Sequence, residues 1–426
     1  MDKKNVSRRE FIKGMTALGV AAQAIPLINV RAQAAPKKFN VALVGCGGRG
    51  TGALDNFMAA AKLVGVEASA IAVADVFKDR ALSCGRRYGV PEDHCFDGFA
   101  GYQKVLEQPV DIVLLATTPN FRPLHFEAAV KAGKHVFMEK PVAVDPPGAR
   151  RIMAAGEAAK KQGLTVVAGT QRRHQEGYLR SAQAIQAGVI GNIVGGRLSW
   201  CGGALWFKTR NPGEDDAHYM VRNWTSFTEM SGDHICEQHV HNIDVANWLL
   251  GRLPVSAVGF GGRARRKTGN QFDFFSVDLD YGSDVHIHSM CRQINGTYGG
   301  VWEEFVGTKG TAWGGGAMKT YDGNRLTTPD VALASGDPYV QEHVDLLNSI
   351  LKNQGLNEAQ NVAQATLGAI MARTAAYTGQ LVRWSDMAER KDSNFYNLTL
   401  APAAEDFEKG PVTAPPDDVP AVPGQA

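Results

Sequence analysis

The sequence predicts an α/β chain: an N-terminal doubly wound parallel sheet, then an α+β domain built on a large, mostly antiparallel open sheet. Three observations predict it. Apolar strand-like runs alternate with helical patterns between Phe39 and Gln162. A G-x-G-x-x-G run at Gly45, Gly47 and Gly50 lies where the first strand gives way to the first helix. Beyond Gly163 the alternation stops, and longer stretches rich in Val, Ile, Trp and Phe follow with few helices between them.

In chain order, Ser7-Arg8-Arg9-Glu10-Phe11-Ile12-Lys13, an apolar run and Ala32-Gln33-Ala34 read as a twin-arginine export signal over residues 1–34. Its stretch from Met15 to Val30 is short for a membrane span and is interrupted by Gln23, Pro26 and Asn29. FNVALVG is a buried strand, followed by a helix through Leu63, and ASAIAVAD is a second strand. Val110 to Thr117 is a third, and the helix after it stops at Ala132-Gly133-Lys134, where glycine permits the turn. His135 to Met138 is a further short strand, and Asp145-Pro146-Pro147 opens a helix to Gln162. In the second half, Ile193–Trp200 and Phe274–Tyr281 read as strands. DVHIHSM alternates with period two, Val285, Ile287 and Ser289 on one face and His286, His288 and Met290 on the other. A helix from Asn357 to Thr378 ends at Gly379. The resulting plan is a dinucleotide-binding domain over 37–162, a second α+β domain over 163–400, and a tail over 402–426 whose Pro, Ala and acid content reads as disorder.

A length of 426 residues supplies core for two domains, and a net charge of +2 with dispersed charges argues against a nucleic-acid or membrane-surface partner. A small molecule is the expected partner, with no stable membrane insertion once the leader is removed. The six cysteines have no CxxC spacing, although a Cys84–Cys95 bridge would suit an oxidising compartment.

The glycine run follows a strand and opens a helix, so Gly45, Gly47, Gly48, Arg49 and Gly50 are candidates to cradle a pyrophosphate at the helix N-terminus. Asp75, at the end of the second strand, is placed to accept the adenosine ribose hydroxyls, which favours NAD. Lys78 and Arg80 nearby would suit a 2′-phosphate, so NADP stays open. Glu139-Lys140-Pro141 ends a strand on the nicotinamide side of the sheet. In SGDHICEQHVHNID, a helix would place Glu237 and His241 at i and i+4 with Asp244 further along that face, and a near-neutral imidazole suits removal of a hydroxyl proton. His234, Cys236, His239 and His241 have a metal-binding composition, but their spacing matches no zinc motif and one helix cannot aim all four inward, so no metal is expected.

VALVGCGGRG, ATTPN, AGKHVFMEKPVA, HNIDVANWLLG and AAYTGQLVRW together resemble the Gfo/Idh/MocA oxidoreductase family across nearly all of the chain after the leader. The resemblance implies that Lys140 is catalytic, that Glu139 binds the nicotinamide ribose, and that Glu237 and His241 stand for the family's D-x-x-x-H pair, with Glu in place of Asp. It also implies Thr117 and Asn120 as cofactor contacts. The family's P-N-x-x-H is replaced here by a longer Pro119-to-His125 loop, which leaves His125 unassigned. Gln171, Arg172, His174, Tyr178, Arg222 and Trp224 are candidates for substrate hydroxyls.

The implied activity is hydride transfer between a tightly held nicotinamide cofactor and a secondary alcohol of a sugar, sugar derivative or cyclitol. Export of a cofactor-loaded enzyme through the twin-arginine machinery to the periplasm follows from the leader, and the family's open sheet implies a homo-oligomer. Two alternatives stand beside it: redox-neutral glycoside cleavage or epimerisation through a keto intermediate, and a non-catalytic sugar or dinucleotide sensor.

Overall fold

The structure, a computed structural model, describes residues 38–417 and 419; the predicted export signal lies outside them. Six strands, β1 (Lys38–Val44), β2 (Glu67–Asp75), β3 (Cys95–Asp97), β4 (Ile112–Leu115), β5 (His135–Met138) and β6 (Val166–Ala168), form one sheet in the order β3-β2-β1-β4-β5-β6. Every pairing in it is parallel. Helices cover both faces, so Ile112–Leu115 is buried throughout, which is why this strand is a continuous apolar run. The order reverses direction between β1 and β4, and the crevice beyond their carboxyl ends is where an open α/β sheet accepts ligands.

The second sheet has eight strands: β7 (Ile193–Gly202), β8 (Ser256–Gly262), β9 (Phe274–Asp280), β10 (His286–Gln293), β11 (Gly300–Gly307), β12 (Gly310–Trp313), β13 (Met318–Thr320) and β14 (Val382–Arg383). Its order is β13-β12-β11-β7-β10-β9-β8-β14, and β7–β10 is its parallel pairing in an otherwise antiparallel array. In β10, Ile287, Ser289 and Cys291 face inward while His286 and His288 face out, as the period-two reading requires. The Val240–Leu250 and Ala359–Thr378 helices close the inner face over a core that includes Ile243, Val277, Leu279, Ile287 and Ile370.

Three expectations are corrected. Residue 163 does not end the first sheet, because β6 adds to it and pairs with β5. The stretch expected as one helix through Glu237 and His241 is broken into His234–Glu237 and Val240–Leu250, with Gln238 and His239 between them. His239 is spent on Ser289 Oγ at 2.7 Å, which ties the break to β10. The described part of the tail is packed, not disordered: Ala404–Lys409 is a helix, and Phe407 lies against Phe99 and Phe121. Its acids have partners, Glu405 on Arg151 and Asp417 on the Tyr219 hydroxyl and the Gly269 amide. One buried aromatic and paired acids order a segment whose composition alone lacks a core. Among the described residues no helix is long and apolar enough to cross a membrane.

Candidate active site

At the carboxyl end of β1 the chain turns through the glycine run into the Gly48–Val64 helix. Gly45 has φ +99°, and a Cβ there would stand 2.6 Å from the Ala116 backbone; a Cβ at Gly50 would stand 1.8 Å from the Gly45 carbonyl oxygen. Gly47 and Gly48 instead face open space, and no side chain caps the helix start. The first-turn amides therefore present a cradle that suits a pyrophosphate. Asp75 ends β2 and accepts hydrogen bonds from the Cys46 amide at 2.7 Å and the Phe77 amide at 2.9 Å. Burial raises its pKa while those two donors oppose the rise. Asp75, Gly45, Gly47, Arg80, Thr117 and Trp224 are among the residues lining one groove. A carboxylate beside an uncapped helix start fits the ribose and pyrophosphate of NAD.

Thr117 bonds His125 Nδ1 at 3.2 Å, and both line this groove. Burial, with Arg122 nearby, lowers the His125 pKa to about 3, so its ring is neutral. Asn120 is turned away from the groove: its carboxamide oxygen accepts from Thr118 Oγ1 at 2.8 Å and its nitrogen meets Met230 Sδ at 3.4 Å. Asn120 therefore shapes the strand end in this structure. All six cysteines are free and buried, so the Cys84–Cys95 bridge is not formed.

At the end of β5, Glu139 Oε1 lies 2.8 Å from Arg49 Nε, linking the predicted nicotinamide-ribose residue to the glycine run. Lys140 crosses to the second domain, where Nζ lies 3.0 Å from Glu237 Oε1 and also donates to the Glu237 carbonyl. Both side chains of this pair are only 14% exposed. His241 is buried beneath Trp200, its ring stacked at 5.7 Å. Burial foremost, then the charges of Lys140 and Arg172, hold its pKa well below the ordinary histidine value. The break at Gln238 thus still leaves Lys140, Glu237 and His241 in one electrostatic cluster.

The substrate candidates separate into two groups. Arg172 pairs with Glu303 and lies 5.4 Å from the Tyr178 ring and 5.6 Å from the Trp200 ring. Tyr178 donates to Glu303 Oε2 at 3.0 Å, so it supports Arg172 from behind. Trp224 lines the dinucleotide groove and meets Trp206 edge-on at 6.4 Å, while Gln171 reaches the Tyr339 hydroxyl at 3.4 Å. His174 and Arg222 are engaged elsewhere. His174 bridges Asp345 at 2.7 Å and Glu358 at 3.3 Å; burial would lower its pKa, but Glu358 and Asp345 raise it to about 10. Arg222 holds Glu214 at 2.7 Å and the Thr209 carbonyl at 2.9 Å, which pins the loop before it. Asp244 grips Arg173 in two bonds of 2.8 Å and is an anchor between segments. His234 is paired with Asp233, His239 with Ser289, and Cys236 lies in the core, so the suspected metal ligands do not converge.

The sequence reading missed Glu303, Trp200, Glu342, Asp345 and Glu358. Glu303 carried a signal, since the period-two pattern of β11 turns it to the same face as buried Phe305, where a charge demands a partner. The others depend on packing between distant segments.

Fold and cleft together define a two-domain dinucleotide-binding oxidoreductase architecture, with the candidate catalytic groups between a Rossmann sheet and an open second sheet. Residues 39–170 match the model of an oxidoreductase family with an NAD-binding Rossmann fold, GFO_IDH_MocA, and residues 178–313 match the GFO/IDH/MocA C-terminal domain. The chain belongs to the Gfo/Idh/MocA family. It is 28% identical to 2,7-anhydro-N-acetylneuraminate hydratase of Escherichia coli over 258 residues, covering 54% of this chain and 64% of that protein. It is 25% identical to scyllo-inositol 2-dehydrogenase (NAD(+)) of Bacillus subtilis, covering 57% of this chain and 67% of that protein. The chain thus spans about half to two thirds of the length of the curated relatives it matches. Scyllo-inositol dehydrogenase of Lactobacillus casei, solved with NAD(H) and scyllo-inositol, shares the fold with a TM-score of 0.62 at 21% identity, covering 81% of this chain and 99% of that one.

Proposed function

We propose that the protein oxidises a secondary hydroxyl of a sugar, sugar derivative or cyclitol, with His241 as the base that takes the hydroxyl proton. The observation that carries this reading is the clustering of Lys140, Glu237 and neutral His241 at the end of β5, a strand of the same parallel sheet whose β1 and β2 ends line a groove suited to NAD. The inositol dehydrogenase among the relatives supports the substrate class. The residues placed to hold NAD are Gly45 to Gly50, Asp75 and Glu139; when bound, it supplies the hydride acceptor.

A neutral imidazole accepts a proton without first losing one. The imidazolium so formed is disfavoured by burial and by Lys140 and Arg172, while the Glu237 carboxylate pairs with Lys140. Lys140, held by two bonds to Glu237, presents its one remaining N–H donor to a substrate oxygen. Arg172, fixed by Glu303 and beside Trp200, orients the ring. The Phe99 and Phe121 wall of the groove is backed by Phe407, and this backing supports slow release of the cofactor. The twin-arginine leader supports export with cofactor already loaded, and the outward Val258, Phe260 and Val301 of the open sheet support a homo-oligomer.

The test is Lys140→Met in the extensively dialysed protein, offered a panel of sugars, glycosides and inositols. Wild type is expected to gain absorbance near ~340 nm with one substrate class. The variant is expected to keep NAD while losing turnover by roughly 1,000-fold. Undiminished turnover in Lys140→Met would remove Lys140 from the chemistry. A redox-neutral conversion is the second reading, favoured by the hydratase among the relatives. It predicts that product forms from a single substrate with no net change in the oxidation state of the cofactor.

A further inference from the structure

The Pro338–Leu351 helix packs on the Gly48–Val64 helix in the core of the first sheet, and one stripe of it faces the row of charges around Arg49 and His174. Tyr339 places its ring 4.9 Å from the Arg49 guanidinium carbon. Asp345 engages His174 Nδ1 at 2.7 Å, and Ser349 meets Thr165 Oγ1 at 3.2 Å. Helical spacing puts Glu342, three residues from Tyr339 and from Asp345, on that stripe between them. It is 0% exposed, and neither carboxyl oxygen has a hydrogen-bond partner among the described residues.

Glu139, the strongest single charge acting on Glu342, has the matching deficit. Its Oε1 makes a close ion pair with Arg49 but no aligned hydrogen bond. Its other oxygen sits so close to Gly169 that a Cβ there would stand 2.5 Å away, so Glu139 has no room to swing in that direction. The neighbouring charges already lean negative. Arg49, Arg173 and protonated His174 face the carboxylates of Glu139, Asp244, Asp345 and Glu358. His343, the next residue along, packs on the rings of Phe57 and Phe137, and burial keeps it neutral. An ionised Glu342 would add an uncompensated anion to this interior. Burial foremost, and then Glu139, push its pKa well above the ordinary value. A carboxylic acid retained in its neutral form is a hydrogen-bond donor, and Glu139 is an acceptor in need of one.

We propose that Glu342 is a neutral carboxyl that shares its proton with the Glu139 carboxylate and so fixes Glu139 for the nicotinamide ribose, an assignment that rests on the NAD-dependent reading of the cleft. Glu342 is fully buried and is a positioning residue. It orients a cofactor-binding acid and leaves the proton-transfer cluster of Lys140, Glu237 and His241 alone.

The first measurement is infrared spectroscopy of the cofactor-free protein, which needs neither substrate nor turnover. A protonated-carboxyl stretch is expected in wild type, absent in Glu342→Gln and shifted in Glu139→Gln; no such band, or one indifferent to both changes, overturns the proposal. The second is NAD affinity by calorimetry, paired with turnover at saturating NAD. Glu342→Leu is expected to weaken NAD binding by about tenfold with turnover changed less than about threefold, whereas Glu342→Gln, which keeps a donor, stays within about threefold of wild type. Wild-type affinity in Glu342→Leu overturns the positioning role, as does a Gln variant as impaired as Leu. If wild type shows the band and its shift but binds no NAD, the carboxyl pair stands and the dinucleotide reading falls.

Discussion

The glycine-run end of the dinucleotide cleft is built largely from backbone, and the Cys46 amide reaches the Asp75 carboxylate across only 29 residues of chain. The opposite wall is built from side-chain pairs whose members lie far apart: 71 residues for Arg173–Asp244, 131 for Arg172–Glu303 and 171 for His174–Asp345. The first region depends on missing side chains and the second on completed charge pairs. They should therefore fail differently: a crowded glycine should spoil ligand binding locally, whereas an orphaned buried charge should destabilise the fold that brings the segments together.

The largest effect is expected from Glu303→Ala. It strips the partner from Arg172 and from the Tyr178 hydroxyl, and it leaves a buried cation uncompensated, for a cost of about 3–5 kcal/mol. Urea unfolding measures this. A Glu303→Ala protein as stable as wild type would show that the substrate wall does not depend on that pair. Gly50→Ala addresses the other region. Its Cβ would stand 1.8 Å from the Gly45 carbonyl oxygen, so the turn must move. NAD binding is expected to weaken by roughly 100-fold, about 2.7 kcal/mol, with unfolding less affected than in Glu303→Ala. Titration calorimetry and denaturation on the same sample separate the two. Unchanged NAD affinity would mean that the glycine run does not hold the cofactor.

The same contrast explains what could be read from the sequence. The parallel sheet, the placing of Asp75 at the end of β2 and the crowded Gly45 and Gly50 follow from local spacing and period, and they stand where those rules put them. The second sheet was legible as strands, since DVHIHSM alternates correctly, but strand order and the parallel β7–β10 pairing depend on contacts that no local pattern encodes. Lys140, Glu237 and His241 are candidates by motif, and the unbroken helix expected to join the last two is not what places them. His174 and Arg222 hold carboxylates that no local pattern reveals, because a polar residue near a cleft looks the same in sequence whether its partner is a ligand or another side chain. The tail was misread because composition does not reveal that one aromatic, Phe407, has a pocket waiting on the other domain.

A pH titration tests the charge-pair region through one titrating group. In the folded protein His174 has its pKa raised to about 10 by Glu358 and Asp345, against an unfolded value of about 6.5. Its contribution to stability is therefore fully present below about pH 6.5 and is lost as pH rises through about 10. Unfolding free energy is expected to fall by up to about 5 kcal/mol across that window relative to a His174→Gln reference, which lacks the titrating group. Parallel wild-type and reference curves would show that His174 is not held charged between the two acids.

The smallest expected effect lies where the two regions share a boundary. Phe407 packs on Phe99 and Phe121, which line the dinucleotide groove, while the rest of the tail is tied to the segment carrying Val221 and Trp224 through Ala414–Asp216 and Asp417–Tyr219. Burying such a ring contributes about 1.5–3 kcal/mol, but the tail can detach without unfolding either sheet, so Phe407→Ala should barely move the global transition. The loss should appear in the groove wall. NAD dissociation, followed by stopped-flow displacement, is expected to quicken about fivefold, close to 1 kcal/mol, while the tail becomes sensitive to protease. If the tail is cleaved readily and NAD leaves no faster, the tail only covers the wall, and cofactor retention must come from the glycine turn and Asp75. If release quickens as expected, the two regions share a support from outside both: a C-terminal segment that backs the dinucleotide wall and anchors the second domain's contribution to it.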